Sequence, residues 1–352
     1  MRASRAGHRP AQASEPEGIW IMKLPIALPA GLIAVALAAA PSAYANESSP
    51  FLAGKAPAVA ATASAHPSQW PTTLPMPRGE RPEGIVIKGS TAYVTSFADG
   101  TIYRFDLRTG ERKVLTPATG VGSIGIMLDG KGRLFVAGGY GGDVRVIDSR
   151  SGNLLATYQL AKDTSTAVND FAVLDGAIYV TDSLSPNLYK LPLGQHGELP
   201  EQSQVRTIPL EGMPYKGDGD QGWNANGITP TPDGKALLVI QTNTGTLFRV
   251  DPATGRATPV DVHGADMSWG DGMRLEGRTL YVVRNTPNKL SVLHLNKTGT
   301  EGRLAHEVTD PRFDTPTTVA RHGNTLYLTN AHFYSADPAN TDYAITAIPD
   351  PA

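Results

Sequence analysis

Trp223-Asn224-Ala225-Asn226-Gly227-Ile228 opens a short apolar run, and the same grammar recurs along the chain. Glu83-Gly84-Ile85, Ile124-Gly125-Ile126 and Asn169-Asp170-Phe171 stand upstream; Asp271-Gly272-Met273 and Thr317-Thr318-Val319 stand downstream. The first residues of successive triplets are 41, 45, 57, 45 and 46 positions apart, which is the length of one propeller blade. Four residues of this column carry oxygen ligands: Glu83, Asn169, Asn226 and Asp271.

Each triplet begins a unit of four short strands separated by Gly, Asp and Thr turns. In the first unit, 83–87 is followed by Ala92-Tyr93-Val94-Thr95-Ser96, then by Gly100-Thr101-Ile102-Tyr103-Arg104-Phe105-Asp106, and then by 112–115. The fourth unit repeats the third strand nearly verbatim as Gly245-Thr246-Leu247-Phe248-Arg249-Val250-Asp251. Six such units predict an all-β, six-bladed propeller over 81–350, four antiparallel strands to a blade, whose radial closure leaves only short strand edges. An open β-solenoid or a pair of sandwiches is the rival all-β reading. The sixth unit shows three clear strands, so the segment from Trp70 to Met76 is expected to supply the fourth and close the ring.

The N-terminus reads as an export signal. Residues 1–21 look like a start-site overcall ahead of Met22-Lys23; an apolar run over 24–40 and the small-x-small site Ala43-Tyr44-Ala45 follow. Cleavage near Ala45 implies a periplasmic or secreted protein without a stable membrane anchor. Residues 46–80, rich in Ala, Ser and Pro, read as a linker and the ring-closing segment. The mature chain has 27 Lys and Arg against 31 Asp and Glu, a mild net −4 that gives no sign of a nucleic-acid partner. With no cysteine, thiol catalysis, disulfides and a lipobox anchor are excluded, and a metal ion is one remaining way to staple the fold. A monomer acting on a small molecule is expected.

In a four-stranded meander the first strand lies innermost and the second runs back to the same face. The column therefore rings one end of the central channel, with the second-strand ends Ser96, Asp182, Asn285 and Asn330 beside it. Two carboxylates and two amide oxygens suit one divalent ion, Ca²⁺ foremost, with Zn²⁺, Mn²⁺ or Mg²⁺ as alternatives. Asn and Asp are also ordinary turn-formers, but four oxygen-bearing residues at one position of separate repeats argue for a site. The residues expected to contact a substrate are Tyr140, Trp223 and Trp269 as apolar walls, together with Asp182, Asn285, Asn330 and His332. His263 is an exposed-loop alternative to His332. Asp218 and Asp220 do not complete a calcium-loop motif.

These residues resemble the metal-ligand set of the senescence-marker-protein/gluconolactonase family, within the calcium-dependent phosphotriesterase/paraoxonase superfamily. The resemblance covers about 83–348 and is most specific at Asn226-Gly227-Ile228 and Asp271-Gly272-Met273. It implies a six-bladed propeller with one catalytic divalent ion that hydrolyses lactones or related esters. It further implies Glu83, Asn226 and Asp271 as direct ligands, Asn169 as a ligand or substrate contact, and Asp271 as the base. The second blade departs from the family pattern: Ile124 and Gly138-Gly139-Tyr140-Gly141-Gly142 stand where an arginine and further polar groups for a sugar lactone are usual. A less polar lactone or ester is therefore at least as well served. A propeller that binds a ligand or partner around a structural calcium ion is the alternative function.

Overall fold

A computed structural model describes residues 70–162, 165–217 and 222–352, all within one compact unit, Ser64–Ala352. The export signal and the linker before residue 70, and Asp218 and Asp220, lie outside the described residues.

Six antiparallel sheets of four strands each form a six-bladed β-propeller. Their first strands are Pro82–Lys88, Ile126–Leu128, Val168–Leu174, Ala225–Pro230, Gly270–Glu276 and Pro316–His322. Each packs against the first strand of the next blade, and the last packs against the first, which closes the ring. Ring closure at the outside is made by a strand from the N-terminal side. Thr73–Pro75 pairs with the C-terminal strand Ala344–Pro349 through Thr73↔Thr346, Leu74↔Ile345 and Pro75↔Ala344. Sheet six is thus built from both ends of the domain.

The core is divided rather than central. Six apolar clusters are present, one at every blade junction. The junction between blades six and one holds Leu74, Phe105, Tyr327 and Ile345, all nearly fully buried. The second and third strands are covered on both faces by neighbouring blades. This is why Leu237–Gln241 is buried throughout and reads as a continuous apolar run rather than an alternation. Outer strands such as Arg112–Thr116 carry the exposed charge.

Five of the first strands carry the same irregularity. Pairing with the second strand shifts between Pro82 and Ile85, Val168 and Phe171, Ala225 and Ile228, Gly270 and Met273, and Pro316 and Val319. The two residues stepped over are the first two of the triplet in each case. Such bulges re-aim a side chain out of the ladder, and here the first residue is the oxygen-bearing column member. The second residue is often glycine because the next blade is too close for a side chain. A Cβ on Gly227 would lie 2.3 Å from the Asp271 carbonyl oxygen, and one on Gly84 would lie 2.5 Å from that of Ile124.

Candidate functional site

Glu83, Asn169, Asn226 and Asp271, from blades one, three, four and five, all line one cavity of about 270 Å³ at the channel mouth. All four are buried. Their surroundings decide which atoms face the cavity. The Asn169 amide nitrogen donates to Ser183 Oγ at 2.8 Å, and Ser183 Oγ spends its own proton on the Ala225 carbonyl at 2.7 Å. The Asn226 nitrogen donates to Thr242 Oγ1 at 3.1 Å, and that hydroxyl donates to the Gly270 carbonyl at 2.7 Å. A hydroxyl has one proton, so each must accept from its asparagine, which fixes the amide orientation and leaves the carbonyl oxygens toward the cavity.

The carboxylates are arranged in the same way. Asp271 Oδ2 accepts from Asn285 Nδ2 at 3.1 Å, while Asp271 Oδ1 and Glu83 Oε2 are buried without a hydrogen-bond partner. Burial first, and then the negative charges of Asp271 and Asp170, push the Glu83 carboxyl well above its ordinary range. Burial raises Asp271 to about 7, against the hydrogen bonds from Asn285 and Asn226. Asp170 is likewise raised by burial to about 7, opposed by the backbone amides of Phe171 and Ile228. Three carboxyls held in this way resist ionising unless a cation compensates them.

These residues fit a hard divalent ion. Two orphaned carboxylate oxygens and two amide oxygens at one cavity are an oxygen donor set of the kind Ca²⁺ takes. No group of three or more His, Cys, Asp or Glu arranged to hold a metal occurs among the described residues, so half of such a donor set would have to be neutral amides.

The second-strand residues require a correction. Phe97, Ser183, Thr242 and Asn285 each follow a residue paired with the start of the first strand, namely Ser96, Asp182, Gln241 and Arg284. Three members of this second column anchor the first: Ser183 holds Asn169, Thr242 holds Asn226, and Asn285 holds Asp271. Asn285 was expected at the site and lines it; Ser96, Asp182 and Asn330 sit one residue short and do not. Asp182 is consumed by the amides of Ala167, Leu184 and Ser185 and by the hydroxyls of Thr166 and Tyr189. Asn330 bonds the Asp314 amide and Thr346 Oγ1. His332 also stands apart from the lining. Its Nδ1 lies 2.9 Å from Asp314 Oδ2 and its ring meets Tyr343 edge-on. His263 pairs with Glu301 in an exposed loop.

Tyr140, Trp223 and Trp269 line the cavity as expected, joined by Phe97, Phe333 and Tyr334. Trp269 sits at φ 60°, a costly conformation for a bulky side chain. Its amide donates to the Thr242 carbonyl and its carbonyl accepts from Asn285, which hold it there. Arg81 is the further cation of the lining.

A protein-family model, the SMP-30/Gluconolactonase/LRE-like region, matches residues 82–332. No curated protein sequence matches the chain. Among solved structures, the major Malassezia sympodialis allergen Mala s 1 aligns with a TM-score of 0.61 at 17% identity, over 79% of this chain and 96% of that one. A calcium-binding regucalcin from Agrobacterium tumefaciens aligns at 0.57 and 15%, over 80% and 94%. Virginiamycin B lyase from Staphylococcus aureus aligns at 0.52 and 15%, over 80% and 89%. At these identities the likeness is one of fold.

Proposed function

The chain belongs to the SMP-30/gluconolactonase/LRE-like family, and from that premise we propose that it is a metal-dependent hydrolase of lactones or related esters. The observation that carries this reading is the pair of buried, unpartnered oxygens, Glu83 Oε2 and Asp271 Oδ1, at a cavity that two amide oxygens also face. Ca²⁺, held by Glu83, Asn169, Asn226 and Asp271, would polarise the substrate carbonyl and offset the charge that develops on its oxygen. The Asp271 carboxylate takes the proton of the attacking water as the water oxygen bonds the carbonyl carbon. Cleavage of the ester C–O bond follows, and the proton passes to the departing alkoxide. Asn285 holds Asp271 Oδ2 and so orients the carboxylate. The aromatic walls exclude bulk water and hold the body of the ester.

A panel of lactones and aryl esters, assayed after chelation and again after Ca²⁺ is restored, tests the reading. Turnover should vanish on chelation and return with the ion. If no ester is cleaved by the metal-loaded protein, the site is a ligand-binding one. We further propose that the protein is a monomer and, from the N-terminal sequence, that it works outside the cytoplasm after cleavage near Ala45. Intact mass of the protein recovered from the cell envelope should give Asn46 as the first residue.

A further inference from the structure

Resting on the hydrolase reading of this cavity, we propose that Arg81 is the subsite for a carboxylate carried by the substrate, whose body is a flat apolar ring rather than a sugar. Arg81 is the one Lys or Arg of the cavity lining. Among the described residues its side chain makes no hydrogen bond or ion pair. Other shielded arginines of this chain are neutralised: Arg133 by Asp129 at 2.6 Å, Arg284 by Glu307 at 2.8 Å and Arg312 by Asp310 at 2.7 Å. The backbone at Arg81 is pinned, since its carbonyl accepts from the Phe97 amide at 2.7 Å. A planar guanidinium at a pocket wall, without a partner of its own, offers its fork to a carboxylate.

The walls define the rest of the ligand. Phe333, Phe97, Tyr140 and Trp223 form an arc whose ring centroids are 5.9, 6.2 and 6.2 Å apart in succession. Tyr140 and Tyr334 are more than half exposed at the rim, which makes the entrance apolar as well. A sugar lactone would need free donors and acceptors for each hydroxyl. Here one N–H of each of Asn169, Asn226 and Asn285, and the single proton of Thr242, are already spent within the protein. A lost hydroxyl partner is costly in a buried site, whereas a ring stacks on these walls without one.

The test is a titration followed by Trp fluorescence, since Trp223 and Trp269 line the cavity. The Ca²⁺-loaded protein is titrated with 3-phenylpropanoate, its neutral amide 3-phenylpropanamide, and gluconate. The acid should bind about tenfold or more tighter than the amide, the scale of one charge-assisted hydrogen bond, and gluconate should bind weakest. Arg81→Met should level acid and amide by weakening the acid alone, and Arg81→Lys should keep part of the preference. The proposal is overturned if the wild type binds acid and amide alike, or if gluconate binds more tightly than the phenyl acid. It is also overturned if the preference survives in Arg81→Met, because the carboxylate would then sit on the metal ion. Should Arg81→Met misfold, the wild-type ratios and Arg81→Lys still decide. No turnover is needed, so an inactive hydrolase and a wrong subsite give different results.

Discussion

Asp271 has one oxygen that the protein satisfies, through Asn285, and one that it leaves unmet. On the proposed reading it is both ligand and base, and one substitution separates these duties. Asp271→Asn keeps an oxygen for the ion but removes the proton acceptor, so ester turnover should fall by about 10²-fold or more while the fold is retained. Glu83→Gln should instead weaken Ca²⁺ binding first, and turnover should recover in part at high Ca²⁺. Near-full activity in Asp271→Asn would remove it as the base. Thr242 tests the anchoring residues. Thr242→Val keeps the shape but frees the Asn226 amide, so Ca²⁺ affinity measured by calorimetry should drop about 10- to 100-fold, as losses of outer-shell partners generally do. An unchanged affinity would mean that Thr242 does not orient Asn226 toward the ion.

The element that makes the site is the bulge at the start of the inner strand. It turns Glu83, Asn169, Asn226 and Asp271 out of their ladders and brings each blade's backbone against its neighbour's. Gly227→Ala places a methyl 2.3 Å from the Asp271 carbonyl oxygen, so it should cost about 1–3 kcal/mol in stability and weaken Ca²⁺ binding. Gly234→Ala, at φ 66° but with open space around it, should cost about 1 kcal/mol and leave Ca²⁺ binding alone. Chemical denaturation and calorimetry of the two variants compare them directly; equal loss of Ca²⁺ affinity in both would break the link between bulge and site. The column was legible in the sequence because the triplet recurs at blade spacing, and so was the closing strand near Leu74. Its partner column lies one residue beyond Ser96, Asp182 and Asn330, because the bulge consumes a residue on one strand only. A register error of one then exchanges the channel face for the opposite face. Phe333 and Tyr334 lie beyond the end of their strand at Asn330, and Arg81 lies before the strand that opens at Pro82, so none of them carries a periodic signal.

At the scale of the whole molecule, cohesion is local: six junction clusters, each shared by two neighbouring blades, and no cysteine anywhere in the chain. An ion on the column would add what the clusters lack, a link among blades one, three, four and five, and binding to the folded state alone raises stability by mass action. The buried carboxyls give that link a pH signature. Asp170 and Asp271 titrate near 7 when folded, and Glu83 is raised too, whereas unfolded carboxyls titrate near 4. The folded state therefore holds more protons than the unfolded state between about pH 4 and 7, and stability must fall as pH rises through that window. In chelator, the melting temperature contributed by these groups should drop from pH 5 to pH 8. Asp271→Asn, which has one fewer such group, should show a shallower drop. Saturating Ca²⁺ needs the ionised forms, so it should stabilise more at pH 8 than at pH 5 and release protons when added at neutral pH. Melting curves across pH, with and without Ca²⁺, measure both effects. An equal Ca²⁺ shift at both pH values would mean that the ion does not sit on these carboxyls.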